Sequence, residues 1–244
     1  MHRKILRETL CIRGKKINIM IHTILILHIV AGSLALLSGP LAIAFKHGGK
    51  FHRLAGKIFF FAMMTVAGTA VIIGLTHKNY FLFIVAVFSA YLVSSGYRIL
   101  YLKKLLKEQK PEVIDWIITG IMFAFSIAFI VWGTYLAFNA TNFSLVFFTF
   151  GGISFWLVMR DRKLYAAKKL EKNYWLYAHI TKMIAGIIAA FTAFLVVNVQ
   201  FQPGFVLWIS PSLIGGFVIR YYTSQYRLKL NKGHQVEELV ELKK

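Results

Sequence analysis

Seven apolar runs, most of them at or above the ~20 residues that carry a helix across a bilayer, alternate with two kinds of gap. The runs cover residues 19–45, 54–76, 80–102, 113–138, 143–159, 176–199 and 204–226. Each run is continuous rather than alternating, and most are far longer than a membrane-barrel strand. The expected fold class is therefore all-α: a polytopic transmembrane bundle of seven helices in one domain. No internal repeat supports an inverted-repeat transporter architecture.

The gaps fix an orientation. Four Lys and Arg residues fall between runs one and two counting Lys57, five between three and four counting Arg98, six between five and six, and six from Arg220 onward. The alternate gaps hold Lys78 alone. Basic residues gather on the cytoplasmic side, which places the C-terminus inside and, with seven crossings, the N-terminus outside. Residues 1–19 break the pattern, because Arg3, Lys4, Arg7, Arg13, Lys15 and Lys16 would have to be translocated. A start at Met20 removes the conflict. The alternative keeps this segment inside and lets one run fail to cross, the short fifth being the first choice. The chain divides into a basic extension, 1–19, a transmembrane domain, 20–227, and a short charged cytoplasmic tail, 228–244.

Composition narrows the partners. Hydrophobic residues make up 58% of the 244, and charged residues 16%, against about a quarter in soluble domains. The net charge of +20 is clamped between apolar runs. It therefore meets anionic lipid headgroups at the cytoplasmic face, and no nucleic-acid partner is expected. The single cysteine, Cys11, excludes an internal disulfide, a CxxC redox pair and a cysteine zinc site. Tyr80, Trp116, Tyr174, Trp175, Tyr177, Tyr221, Tyr222 and Tyr226 fall near run ends, where an aromatic belt belongs. The location expected is the bacterial inner membrane.

Ionisable residues inside a bilayer are costly and mark function. His28 lies within the first run, His179 and Lys182 near the start of the sixth, Arg220 near the end of the seventh, and His52 and Arg53 at the inner start of the second. No carboxylate is expected in the membrane centre, and Asp115 sits only at the inner edge of the fourth run. His52 and His179 fall at the same cytoplasmic depth. Two imidazoles from different helices at one depth can hold a haem iron through its axial positions. Ala55, Gly56 and Ala178 leave room for a macrocycle, and Lys50, Arg53, Lys57 and Lys182 suit its propionates. The concrete expectation is a b-type haem-binding or quinone-linked redox membrane protein, with His28 a further haem candidate. Metal binding by His47 and His52 across the Gly48-Gly49 turn lacks a carboxylate or cysteine partner. The other classes are a small-solute transporter or channel lined by His28, His179, Lys182 and Arg220, and a non-catalytic membrane partner protein.

Two patches carry a resemblance. One comprises His28, Gly32, Leu36, Ser38-Gly39-Pro40 and Gly49-Lys50-Phe51-His52-Arg53-Leu54-Ala55-Gly56-Lys57. The other comprises Asp161, Trp175, His179, Met183, Ala185-Gly186, Thr192-Ala193-Phe194 and Asn198. Over residues 20–227 the chain resembles the bacterial membrane-protein family catalogued as domain of unknown function 2306. The resemblance implies an inner-membrane protein and strengthens the pairing of His52 with His179, which match that family's two histidine patches. It carries no activity with it.

Overall fold

The computed structural model describes residues 2–105, 109–139, 144–200 and 205–241. Seven long helices and one short one follow in chain order. They are α1 (His2–Ala44), α2 (Lys50–Thr76), α3 (Tyr80–Arg98), α4 (Val113–Phe138), α5 (Ser144–Tyr165), α6 (Tyr174–Asn198), α7 (Phe205–Asn231) and α8 (Val236–Leu239). A 3₁₀ turn, Ile99–Tyr101, extends α3. No named strand occurs among the described residues. In hydrocarbon a backbone must satisfy its own polar groups, and long apolar sequence does so by closing each N–H onto its own helix.

Six helices are long and apolar enough to cross a membrane among the described residues: Ile19–Ala44, Lys50–Thr76, Leu82–Tyr101, Val113–Phe138, Ser144–Ala166 and Tyr174–Asn198. The chain is thus a multi-pass, membrane-type helical bundle. The fifth run, weakest in the sequence, is a 23-residue span, because its helix continues past Met159 into the basic stretch. Within the 1–19 extension, the backbone of residues 2–19 is the first part of α1.

Helix α3 is the spine. It packs against α2, α4, α5 and α6, while α1 lies on α2 and α6, and α7 lies on α6. Its residues Ile84, Val85, Tyr91, Leu92 and Val93 are buried on several faces. The turn before it starts cleanly: Asn79 accepts a hydrogen bond from the Leu82 amide at 3.1 Å, the usual N-cap arrangement. Close approach is built in at Gly74, where a Cβ would stand 3.1 Å from the Phe83 amide nitrogen. At the far end Arg98 bonds both oxygens of Asp115 on α4, at 2.9 and 3.0 Å, and Glu112 at 2.8 Å. The Asp115 carboxylate also accepts from the Glu112 amide at 2.9 Å. The start of α4 is thereby locked to α3.

One expectation changes. Trp175 and Tyr226, assigned to an outer aromatic belt, are 7% and 9% exposed and pack with Ile99, Leu102, Leu176, Val236 and Val240. Tyr80, Trp116 and Tyr221 do stay on the outer surface. A carboxylate is nonetheless buried near the C-terminal end of α5, away from the membrane centre. Asp161 is part of α5, is 4% exposed, and faces Lys182 of α6.

Candidate functional site

The turn between α1 and α2, the start of α2, the start of α6 and the C-terminal part of α7 frame a cavity of about 760 Å³. Volumes of ~300–1,000 Å³ are typical of small-molecule and cofactor sites. Three histidines line it: His47 in the turn, His52 on α2 and His179 on α6. The His52 and His179 ring centroids are 6.5 Å apart with planes at 65°. His47 lies 5.7 Å from His52, ring centre to ring centre.

Each ring is held by its Nδ1. His52 Nδ1 lies 2.7 Å from the Ala42 carbonyl oxygen at the end of α1. His179 Nδ1 lies 2.8 Å from the Gly96 carbonyl oxygen on α3. A carbonyl oxygen only accepts, so Nδ1 is the protonated nitrogen in both rings. In the neutral ring Nε2 then keeps its lone pair. This is the outer hydrogen bond that a metal-ligating imidazole uses to fix its tautomer and orientation. His47 is different: its Nδ1 is 2.6 Å from the Tyr226 hydroxyl, and Tyr222 packs edge-on at 5.6 Å. Burial, and the charge that His52 would carry, push the His47 pKa below its ordinary value, so its neutral form is favoured.

The rest of the wall is small or apolar, with cations at its edge. Gly39 and Ala42 contribute from α1, Gly56 and Phe59 from α2, and Met183 and Ile184 from α6. A Cβ added at Gly56, one turn beyond His52, would meet nothing within 4 Å. Lys50, Arg53, Lys57 and Lys103 also line the cavity. Arg53 donates to the Gly48 carbonyl and so closes the turn. Lys103 stands 4.5 Å from the centre of the Trp175 ring, and burial lowers its pKa.

The remaining sequence candidates lie elsewhere. His28 pairs with the Thr69 hydroxyl on α2 at 2.9 Å and is not among the cavity residues. Lys182 does not line the cavity either. Its Nζ is 2.6 and 2.7 Å from the two Asp161 oxygens, and Tyr91 donates to the same carboxylate at 2.7 Å. That geometry removes Lys182 from the residues available to a propionate or other anion in the cavity. Arg220 is exposed on α7.

Sequence reasoning missed the Asp161–Lys182–Tyr91 cluster and the seat of His47 on Tyr226. Asp161 stands between Arg160 and Arg162, and such a triplet reads as solvated charge. The available signal was helical spacing: Gly151, Ser154, Val158, Asp161 and Tyr165 share one buried face of α5. Among the described residues no group of three His, Cys, Asp or Glu side chains is placed to hold a metal ion. That leaves a two-imidazole arrangement as the ligand geometry the cavity presents. Compared with protein-family models, with curated proteins and with solved structures, the chain has no match.

Proposed function

We propose that the chain is a redox protein of the bacterial inner membrane that holds a b-type haem between His52 and His179. One observation carries the reading: two Nδ1-tethered imidazoles on different helices line one cavity at 6.5 Å. With Nδ1 of each ring engaged by a backbone carbonyl, the two Nε2 lone pairs are the groups that would hold an iron in this cavity. The cavity volume, the free space beside Gly56 and the edge cations suit a flat, dianionic macrocycle. The bound haem would supply one-electron chemistry. The protein's part is to orient both rings through Ala42 and Gly96, to surround the site with low-dielectric wall, and to offer Lys50 and Lys57 to the propionates. A quinone would be the membrane-soluble electron partner.

The full topology belongs to the same proposal. Helix α7 is the seventh crossing, the C-terminus is cytoplasmic and the N-terminus is outside. The alternating basic gaps support this orientation, with the cationic faces against anionic lipid. Membership of the family that the two histidine patches resemble fits this placement.

Absorption spectra of the purified protein, oxidised and reduced, test the reading. A Soret band that sharpens on reduction is expected, and it should be lost or shifted in His52→Ala and in His179→Ala. A colourless preparation from haem-replete cells would refute it.

The Asp161–Lys182 pair favours a second reading, transport of a small solute, because buried charge pairs mark ion and proton pathways in membrane proteins. Solute flux into proteoliposomes that disappears in Lys182→Ala would support that reading over the first.

A further inference from the structure

We infer that the C-terminal tail is a strap that forms one wall of the imidazole cavity and opens to admit its ligand. The inference concerns access and does not need the haem reading. After α7 ends at Asn231 the chain turns back through Gly233, and α8 brings Val240 and Glu241 onto the cavity. The Glu241 amide donates to the His47 carbonyl at 3.1 Å. Val236 and Val240 are buried, packed in the cluster that contains Trp175 and Tyr226. The same two aromatic residues line the cavity. The strap therefore rests on residues that the ligand would also touch.

The receiving turn is shaped for the strap. Gly48 has φ +75°, a conformation that favours glycine, and a Cβ there would stand 2.7 Å from Val240 Cγ1 and clash with the Glu241 carbonyl. Gly48 thus serves two needs at once, the turn into α2 and the close seat of the tail.

The attachment is also weak enough to release. It rests on two buried valines with Leu239 half-buried beside them, one backbone hydrogen bond, and an ion pair between Lys46 and Glu241 at 3.9 Å. Both partners of that pair are well exposed, and such pairs contribute little. Segments held by few buried contacts open locally well below the global unfolding cost.

The test places a thiol in the wall of the cavity that the strap helps to form. Gly56→Cys is made in a Cys11→Ser background, where the added side chain meets open space. A second reporter, Gly68→Cys, also meets open space and is not among the residues of this cavity. Protein is purified in detergent from haem-limited cells, so that the cavity is accessible. The rate of reaction with a charged thiol reagent is then measured with the strap intact, with Val236→Asp and Val240→Asp together, and separately with Gly48→Ala. Unseating the strap by either route should speed labelling at position 56 about tenfold or more and leave position 68 unchanged. If the double variant fails to fold, Gly48→Ala alone carries the test. Equal rates at position 56 with the strap seated and unseated would overturn the inference, as would equal acceleration at both positions. Labelling does not depend on haem, so a colourless protein with strap-dependent labelling would refute the haem and keep the strap.

Discussion

His179 and Lys182 stand one turn apart on α6, and both meet α3 at Gly96, yet they serve opposite kinds of site. The Gly96 carbonyl accepts from His179 at 2.8 Å, while a Cβ on the same glycine would stand 2.8 Å from Lys182 Cβ. On one side of this seam lies a cavity of about 760 Å³ lined by three imidazoles. On the other side Lys182, Asp161 and Tyr91 close on each other, all three less than 9% exposed. The difference follows from charge. An imidazole can be neutral and so can face a void with one nitrogen engaged. A buried ammonium or carboxylate cannot, because desolvation makes an unpaired ion costly. One helix therefore holds a site that can receive a ligand beside a site that is already filled by its own partner.

The two regions should part most sharply when a single partner is removed. Asp161→Ala leaves Lys182 buried and unpaired and should cost ~3–5 kcal/mol, read as a large drop in melting temperature in detergent. Replacing Asp161 with Asn and Lys182 with Met together should recover much of that loss. A double variant as unstable as Asp161→Ala would contradict the assignment of the cost to unpaired charge.

Gly96→Ala acts on the seam itself. Its methyl must displace Lys182 Cβ and the Met183 sulfur, 3.3 Å away, at about 1–3 kcal/mol. Because the same residue holds His179, the variant should also weaken retention of any cavity ligand. A stability loss with ligand retention unchanged would mean that His179 is not positioned through α3.

His179→Ala tests the cavity side alone. It removes one hydrogen bond worth ~1 kcal/mol, so the melting temperature of the haem-free protein should move little, while haem-replete protein loses its pigment. A collapse in stability comparable to Asp161→Ala would erase the distinction between a receiving site and a structural one.

The smallest effect is on pH. His47 lies outside the membrane spans, and burial together with His52 lowers its pKa below the ordinary histidine value. Between that lowered value and the unfolded one near 6.5 the unfolded chain binds more protons. Stability should therefore be full above about pH 6.5 and fall as pH drops through this window. His47→Gln should make the melting temperature less steep in pH between pH 7.5 and 5; a slope unchanged by the substitution would assign the dependence to other groups.

Hydropathy made six spans legible, because a bilayer sets helix length, and it brought His52 and His179 to helix starts that the fold sets side by side. It could not say which helices are neighbours; the packing of α6 against both α1 and α3 supplies that. Depth alone also placed Lys182 beside the histidines as a free cation, when three hydrogen bonds converging on Asp161 commit it to a closed cluster. Asp161 was hidden because the apolar run ends at Met159 while the helix runs to Tyr165. Trp175 and Tyr226 misled for a related reason: residues near a run end face lipid, water or protein depending on neighbours that a one-dimensional average omits.

The central claim is that His52 and His179 ligate one iron, and electron paramagnetic resonance of the oxidised protein tests it most directly. Two neutral imidazoles give a low-spin ferric haem, and ring planes 65° apart predict the strongly anisotropic form of that signal rather than the rhombic form of near-parallel rings. Either alanine substitution should abolish it. The absence of any ferric haem signal from haem-replete protein, or a low-spin signal that survives both substitutions, would contradict the account.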